Sequence, residues 1–103
     1  MRASERDELM KALMAADLEL CRKKGSDYSP EEDCLANLKE FGLLGIVVRL
    51  GDKYHRLKNL VLSGKEPQNE SILDTLRDIR IYCYLAEILT KGEKNQNQNE
   101  NDN

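Results

Sequence analysis

Two stretches carry side chains whose types and spacing suit phosphate or metal chemistry. Arg49, Asp52, Lys53 and Arg56 lie in the first, and Glu70, Asp74 and Asp78 in the second. The three acids of the second stretch recur every four residues, which puts them on one face of a helix. Carboxylates are hard oxygen donors and suit Mg²⁺ or Mn²⁺ better than a softer metal. Such an ion binds phosphate oxygens and lowers the pKa of a bound water. Arginine can grip a phosphate through two N–H groups, and lysine neutralises it as a point charge.

Asn69–Tyr84, the stretch that holds the acids, is otherwise apolar nearly all round, with Ile72, Leu73, Leu76, Ile79 and Ile81. A helix of that kind is normally buried, and a carboxylate on it must be paired, hydrogen-bonded or ligating. Each charge also has a structural reading. Ser71 and Asp74 have the spacing of a capping box, and Glu70 suits the positive end of the helix dipole. Asp78 lies two turns in and has no such role; its ordinary partner would be Arg49 or Arg56 on the neighbouring helix. Arg49, Asp52 and Arg56 also read as a solvated, ion-paired stripe.

Other chemistries find less support. His55 is the only histidine, stands among charged residues, and has no nucleophile spaced to meet it. Cys21, Cys34 and Cys83 make an odd count without Cys-x-x-Cys spacing, so they read as small buried thiols in a reducing compartment. The formal net charge of −3 and pI near 5.2 argue against a binder of nucleic-acid polymers. No apolar run reaches the length of a membrane span, and the charged N-terminus lacks the apolar core of a signal peptide. These features predict a cytoplasmic protein.

Helix punctuation places these residues. Ala3 to Lys24 reads as an amphipathic helix, with Leu9, Leu13, Ala16 and Leu20 on one face, stopped by Gly25. Ser29-Pro30-Glu31-Glu32 starts a short second helix that ends near Gly42. The third runs from Leu43 to Leu62, with Leu43, Val47, Leu50, Tyr54, Leu57 and Val61 as its packing seam, and Gly64 stops it. Within it, Gly45 and Gly51 suggest close approach of a backbone or a ligand. The fourth runs from about Glu70 to Lys91 and closes on Gly92. The expected fold is therefore all-α, about four helices, as one domain over residues 1–92 with a disordered polar tail at 93–103.

The two long helices, joined by a short loop near Pro67, should form an antiparallel hairpin pairing positions that sum to roughly 131–134. That register brings Asp52 within about a turn of Asp78. The apolar breadth of the last helix exceeds what a monomer of this length can cover. It predicts an oligomeric helical bundle, a twofold dimer or larger.

Taken together, Lys24-x-x-Asp27-Tyr28, Asn37, Arg49-x-x-Asp52-Lys53-x-x-Arg56-Leu57 and Glu70-Ser71-x-x-Asp74-Thr75-x-x-Asp78-x-x-x-Tyr82 resemble small phage and bacterial nucleotide-modification-associated domains. Those are similar, more distantly, to the all-α nucleoside triphosphate pyrophosphohydrolases of the MazG type. The resemblance spans roughly residues 20–90. It implies a homodimer or higher oligomer that uses Mg²⁺ or Mn²⁺ to hydrolyse a (deoxy)nucleoside triphosphate to the monophosphate and pyrophosphate.

Carried over by position, Asp78 matches the last acid of the family's second metal-binding pair, and Asp52 the last acid of its first. Asp74 stands one residue before the remaining acid of the second pair, and Glu70 a turn earlier. Arg49 and Thr75 occupy places where the family has acids. The resemblance thus assigns Asp52 and Asp78 to catalysis and Asp52, Glu70, Asp74 and Asp78 to the metal. It assigns Lys24, Asp27, Tyr28, Asn37, Arg49, Lys53, Arg56 and Tyr82 to the nucleotide, with Tyr28 stacking a base and Asn37 bonding sugar or phosphate. A reduced set of carboxylates also fits the alternative of a protein that binds or sequesters a nucleotide without cleaving it.

Overall fold

The computed structural model describes the backbone of residues 1–24, 36–64 and 69–101, and side chains over 1–24, 38–64 and 71–92. Its described residues are all helical or short termini, with no strand among them. Among the described residues there are three helices: α1 (Ala3–Lys24), α2 (Ala36–Ser63) and α3 (Asn69–Asn101). The chain divides into two compact units, Met1–Cys34 and Leu35–Asn103.

The first unit holds α1. Glu5 in its first turn and Arg22, Lys23 and Lys24 in its last complement the helix dipole. Leu9, Met10, Leu13, Met14 and Leu18 remain exposed, and Asp17 is its one buried residue. Ion pairs on its surface are local, Arg6 with Asp7 at 2.9 Å and Lys11 with Glu8 at 3.2 Å. Pairs this exposed contribute little to stability.

In the second unit α2 and α3 pack against one another. Over the described residues the expected second and third helices are joined as α2, with a break at the point where the second is expected to end. Gly42 marks where they meet: its φ of 65° and ψ of −164° are non-helical. That backbone conformation is essentially reserved for glycine and costs other residues of order 1–3 kcal/mol. A methyl group at Gly42 would touch nothing within 4 Å, so strain alone decides the outcome.

The glycines therefore make a pair of opposite predictions. Gly42→Ala should lower unfolding stability by about 1–3 kcal/mol in urea titrations. Gly51 is helical and equally uncrowded, so Gly51→Ala should raise stability by up to about 1 kcal/mol. Among the described residues no atom approaches Gly51 closely. At Gly45 an added Cβ would lie 2.8 Å from Phe41 Cβ, so there the neighbour is a side chain one turn back.

α2 ends at Ser63, where Ser63 Oγ donates to the Leu60 carbonyl at 2.9 Å and Gly64 adopts a φ of 64°. Both features satisfy the end of a helix whose last carbonyls have no intrahelical donor. α3 does not close at Gly92. It continues to Asn101, so helical backbone extends into the segment expected to be a disordered tail. Glu, Lys and Gln are good helix formers, and one interior glycine costs only about 1 kcal/mol. No described helix is long and apolar enough to cross a membrane.

Candidate functional site: a charged pair in the helix seam

Burial along α2 shows which face is protected. Ile46 is buried, and Leu50, Lys53, Leu57 and Leu60 are half-buried, a stripe of four- and three-residue steps. The expected seam shares only Leu50 and Leu57 with it. Its other members Leu43, Val47, Tyr54 and Val61 are exposed, Val47 at 52% and Tyr54 and Val61 at 58% each. The protected face is thus rotated from the expected one, and it has a lysine at its middle.

α3 has a matching stripe. Ser71, Thr75, Asp78, Tyr82, Leu85 and Leu89 follow the same alternation, with Thr75 and Leu89 buried and the rest half-buried. The half of this stripe nearest the helix start is polar. Thr75 Oγ1 donates to the Ser71 carbonyl at 2.7 Å, which satisfies the buried hydroxyl within its own helix. Asp78 lies one turn further on, in the same protected row.

The two polar rows meet. Lys53 Nζ donates to Asp78 Oδ2 at 2.9 Å, with the side chains 30% and 25% exposed. This is a charge-assisted hydrogen bond joining the two helices, and partial burial strengthens it relative to a surface pair. Lys53 can occupy a protected position because its long aliphatic stem packs as apolar surface while the ammonium reaches its partner.

Arg77 covers the other side of the carboxylate. Its Nη2 stands 3.5 Å from Asp78 Oδ1, and its Nη1 stands 3.4 Å from Asp74 Oδ1. Arg77 Nε is buried without a hydrogen-bond partner among the described residues. One guanidinium therefore bridges two aspartates one helical turn apart.

The structure brings together Lys53, Asp78 and, through Arg77, Asp74. Lys53 is a partner of Asp78 that the sequence reading, which names Arg49 or Arg56, does not include. Asp52, Arg49 and Arg56 are exposed on α2, Tyr82 is half-buried on α3, and Lys24 is exposed at the end of α1. Asp27 and Tyr28 lie outside the described residues, as do the side chains of Asn37 and Glu70. Asp74 is 62% exposed and pairs with Arg77, not with a backbone amide in any described hydrogen bond. Among the described residues no three His, Cys, Asp or Glu side chains cluster closely enough to hold a metal by themselves.

Arg77 is the site residue that sequence reasoning overlooks. Its signal is the Asp74-x-x-Arg77 spacing, one turn of helix, beside the adjacent Asp78. Asp17, two turns from the end of α1, is a buried acid without a terminal role. Cys21 is half-buried as a small thiol would be, whereas Cys83 is exposed, contrary to the expectation of a buried one. His55 is exposed beside Tyr54, the ring centroids 5.8 Å apart, in keeping with a surface histidine.

The fold and site together define an all-helical protein with an ion pair set into the seam between two long helices. In comparisons with protein-family models, curated proteins and solved structures, the chain finds no match.

Proposed function

We propose that this protein is a MazG-like, Mg²⁺-dependent (deoxy)nucleoside triphosphate pyrophosphohydrolase, which releases a nucleoside monophosphate and pyrophosphate. The observation that carries the reading is the half-buried Lys53–Asp78 pair at 2.9 Å, flanked along α2 by exposed Arg49, Asp52 and Arg56. Ionisable groups in a helix seam lose solvation, and proteins keep them there where they are paired or put to use.

On this reading Arg49, Lys53 and Arg56 bind the phosphate chain and Tyr82 borders the nucleotide. Lys24, Asp27, Tyr28 and Asn37 contribute to its recognition. Asp52 and Asp78 are the residues that would hold Mg²⁺ or Mn²⁺, with Asp74 and Glu70 in support. Their oxygen-only donor set fits such an ion. Mg²⁺ commonly needs just one or two carboxylates when substrate phosphates and water complete its shell, so the lack of a three-acid cluster among the described residues is compatible with it. Once bound, the ion supplies charge neutralisation at the phosphates and a water of lowered pKa.

The chain's own residues do the remainder. Arg49 and Arg56 fix the phosphates in place, which lowers the entropic part of the barrier. Arg77, held between Asp74 and Asp78, orients both carboxylates. Incubating the pure protein with Mg²⁺ and a panel of ribo- and deoxyribonucleoside triphosphates tests the proposal. Pyrophosphate release from at least one of them is expected; none from any, with the protein folded, would sink it.

A second reading is favoured by the cation already on Asp78: a module that binds or sequesters a nucleotide without turnover. Metal-independent binding of a nucleotide, with no product formed, distinguishes it.

The proposal extends to assembly. α2 and α3 form an antiparallel hairpin, a register supported by Lys53 and Asp78, whose positions sum to 131. A second copy covers the apolar stripe Leu43, Val47, Tyr54 and Val61, exposed on α2 at helical spacing. The product is a homodimer or a higher oligomer. Light scattering at micromolar concentration should return at least twice the 11.8 kDa chain mass. The setting proposed is a bacterial cytoplasm, or that of a phage-infected host.

A further inference from the structure

We propose that the exposed face of α2 meets the same face of a second copy in antiparallel register, with the Tyr54 ring of each chain seated over Gly51 of the other. The contact rests on the oligomer reading above and gives it a register. Leu44, Val47, Val48, Tyr54, Val61 and Leu62 are each more than half exposed. At 3.6 residues per turn they lie on one side of α2, with Gly51 among them, and Leu44 to Leu62 spans about 27 Å of helix. Together they present on the order of 700 Å² of apolar surface, close to the roughly 800 Å² that each partner gives to a standard interface. The face is thus large enough to hold a dimer by itself.

Its shape selects a second copy as the partner. An added Cβ at Gly51 meets nothing within 4 Å, so this glycine weakens the helix without making room for any described residue. One turn on, Tyr54 stands out at 58% exposed beside His55, the ring centroids 5.8 Å apart. A notch and a large ring three residues apart are complementary to their own image. When positions sum to about 105, Gly51 faces the partner's Tyr54, and Tyr54 faces the partner's Gly51, as a twofold contact requires. The glycine lets the two backbones approach, and the ring buries a large area while its hydroxyl reaches the rim.

The same register sets Leu44 level with the partner's Val61. Val47 comes level with the partner's Lys58, whose aliphatic stem covers it while the ammonium stays in water. A parallel pair would set ring against ring and notch against notch, leaving a collision beside a gap.

Sedimentation velocity and native mass spectrometry on the full chain provide the test. Gly51→Leu fills the notch and should weaken self-association by about tenfold or more. Tyr54→Ala removes the ring and should weaken it by about 30-fold. Mixed in equal amounts, the two variants fit at both contacts: the new leucine occupies the space of the lost ring, and the intact ring meets the intact glycine. The mixed pair, distinguished by mass, should outcompete either self-pair by about tenfold. A merely statistical mixture, as expected were the face covered by another part of the same chain, overturns the proposal. So does a Gly51→Leu chain that associates like wild type.

Gly51→Ala, which favours the helix, keeps the question decidable should either variant unfold. Its protomer stability should rise while self-association falls by about threefold; a rise in both overturns the contact. The register and the oligomer reading fail separately. A wild type that sediments as a monomer removes both. A Val47→Glu chain that dissociates, beside a Gly51→Leu chain that does not, removes only the register.

Discussion

Asp78→Asn should abolish pyrophosphate release, lowering it by about 10³-fold, while the protein stays folded. The size follows from the proposed role: a metal-holding carboxylate supports several kcal/mol of transition-state charge stabilisation, and each 1.4 kcal/mol or so is tenfold in rate. Asparagine keeps the shape of the side chain but removes its charge and one acceptor oxygen, so Lys53 and Arg77 lose the charge they share and one of their two contacts. Losing a hydrogen bond to a charged group costs about 1–3 kcal/mol, and partial exposure of Lys53 places this case toward the lower end. Steady-state kinetics beside a urea melt separates the two effects. A rate loss no larger than the fraction unfolded would mean that Asp78 is only a structural partner of Lys53.

The second large effect concerns assembly. Val47→Glu should dissociate the proposed oligomer, weakening self-association by about 30-fold or more, the effect of losing an interface anchor worth about 2 kcal/mol. Val47 is 52% exposed in the protomer, so the substitution should cost little there. It belongs to the exposed apolar stripe of α2, where a carboxylate would be buried without a counter-charge in the proposed oligomer. Analytical ultracentrifugation of wild type and variant over a concentration series checks it. An unchanged sedimentation profile would show that this stripe is not what holds copies together.

Much of the architecture is legible in the sequence because its signals are local. Lys23-Lys24 and Gly64 mark helix ends by dipole and backbone preference, and the break at Gly42 arises from a residue tolerant of positive φ. Gly92 misleads because glycine at a helix end and glycine within a helix look alike; the residues that follow decide, and Glu, Lys and Gln propagate a helix.

The rotation of α2 is less legible, for a physical reason. Two stripes on that helix are apolar enough to be buried, and they share Leu50 and Leu57. Hydropathy prefers the one with Val47, Tyr54 and Val61, because it counts Lys53 as a surface residue. The choice is made by a long-range partner: Asp78, itself in the protected row of α3, meets Lys53 at 2.9 Å. Neither residue alone announces the pair. Asp78 can be singled out as an acid without a terminal role, but its partner depends on which face of α2 turns inward. Arg77 escapes notice for a different reason, since Asp-x-x-Arg on a helix is common as a surface pair and here is half-buried.

In the proposed site Asp78 and Asp52 together hold a metal against a triphosphate. The most direct measurement is a crystal structure with Mn²⁺ and a non-hydrolysable nucleoside triphosphate analogue. The expected result is one ion bound by the Asp52 and Asp78 carboxylates at about 2.0–2.2 Å. A nucleotide bound elsewhere, or an intact Lys53–Asp78 pair with no ion between the two aspartates, would contradict it.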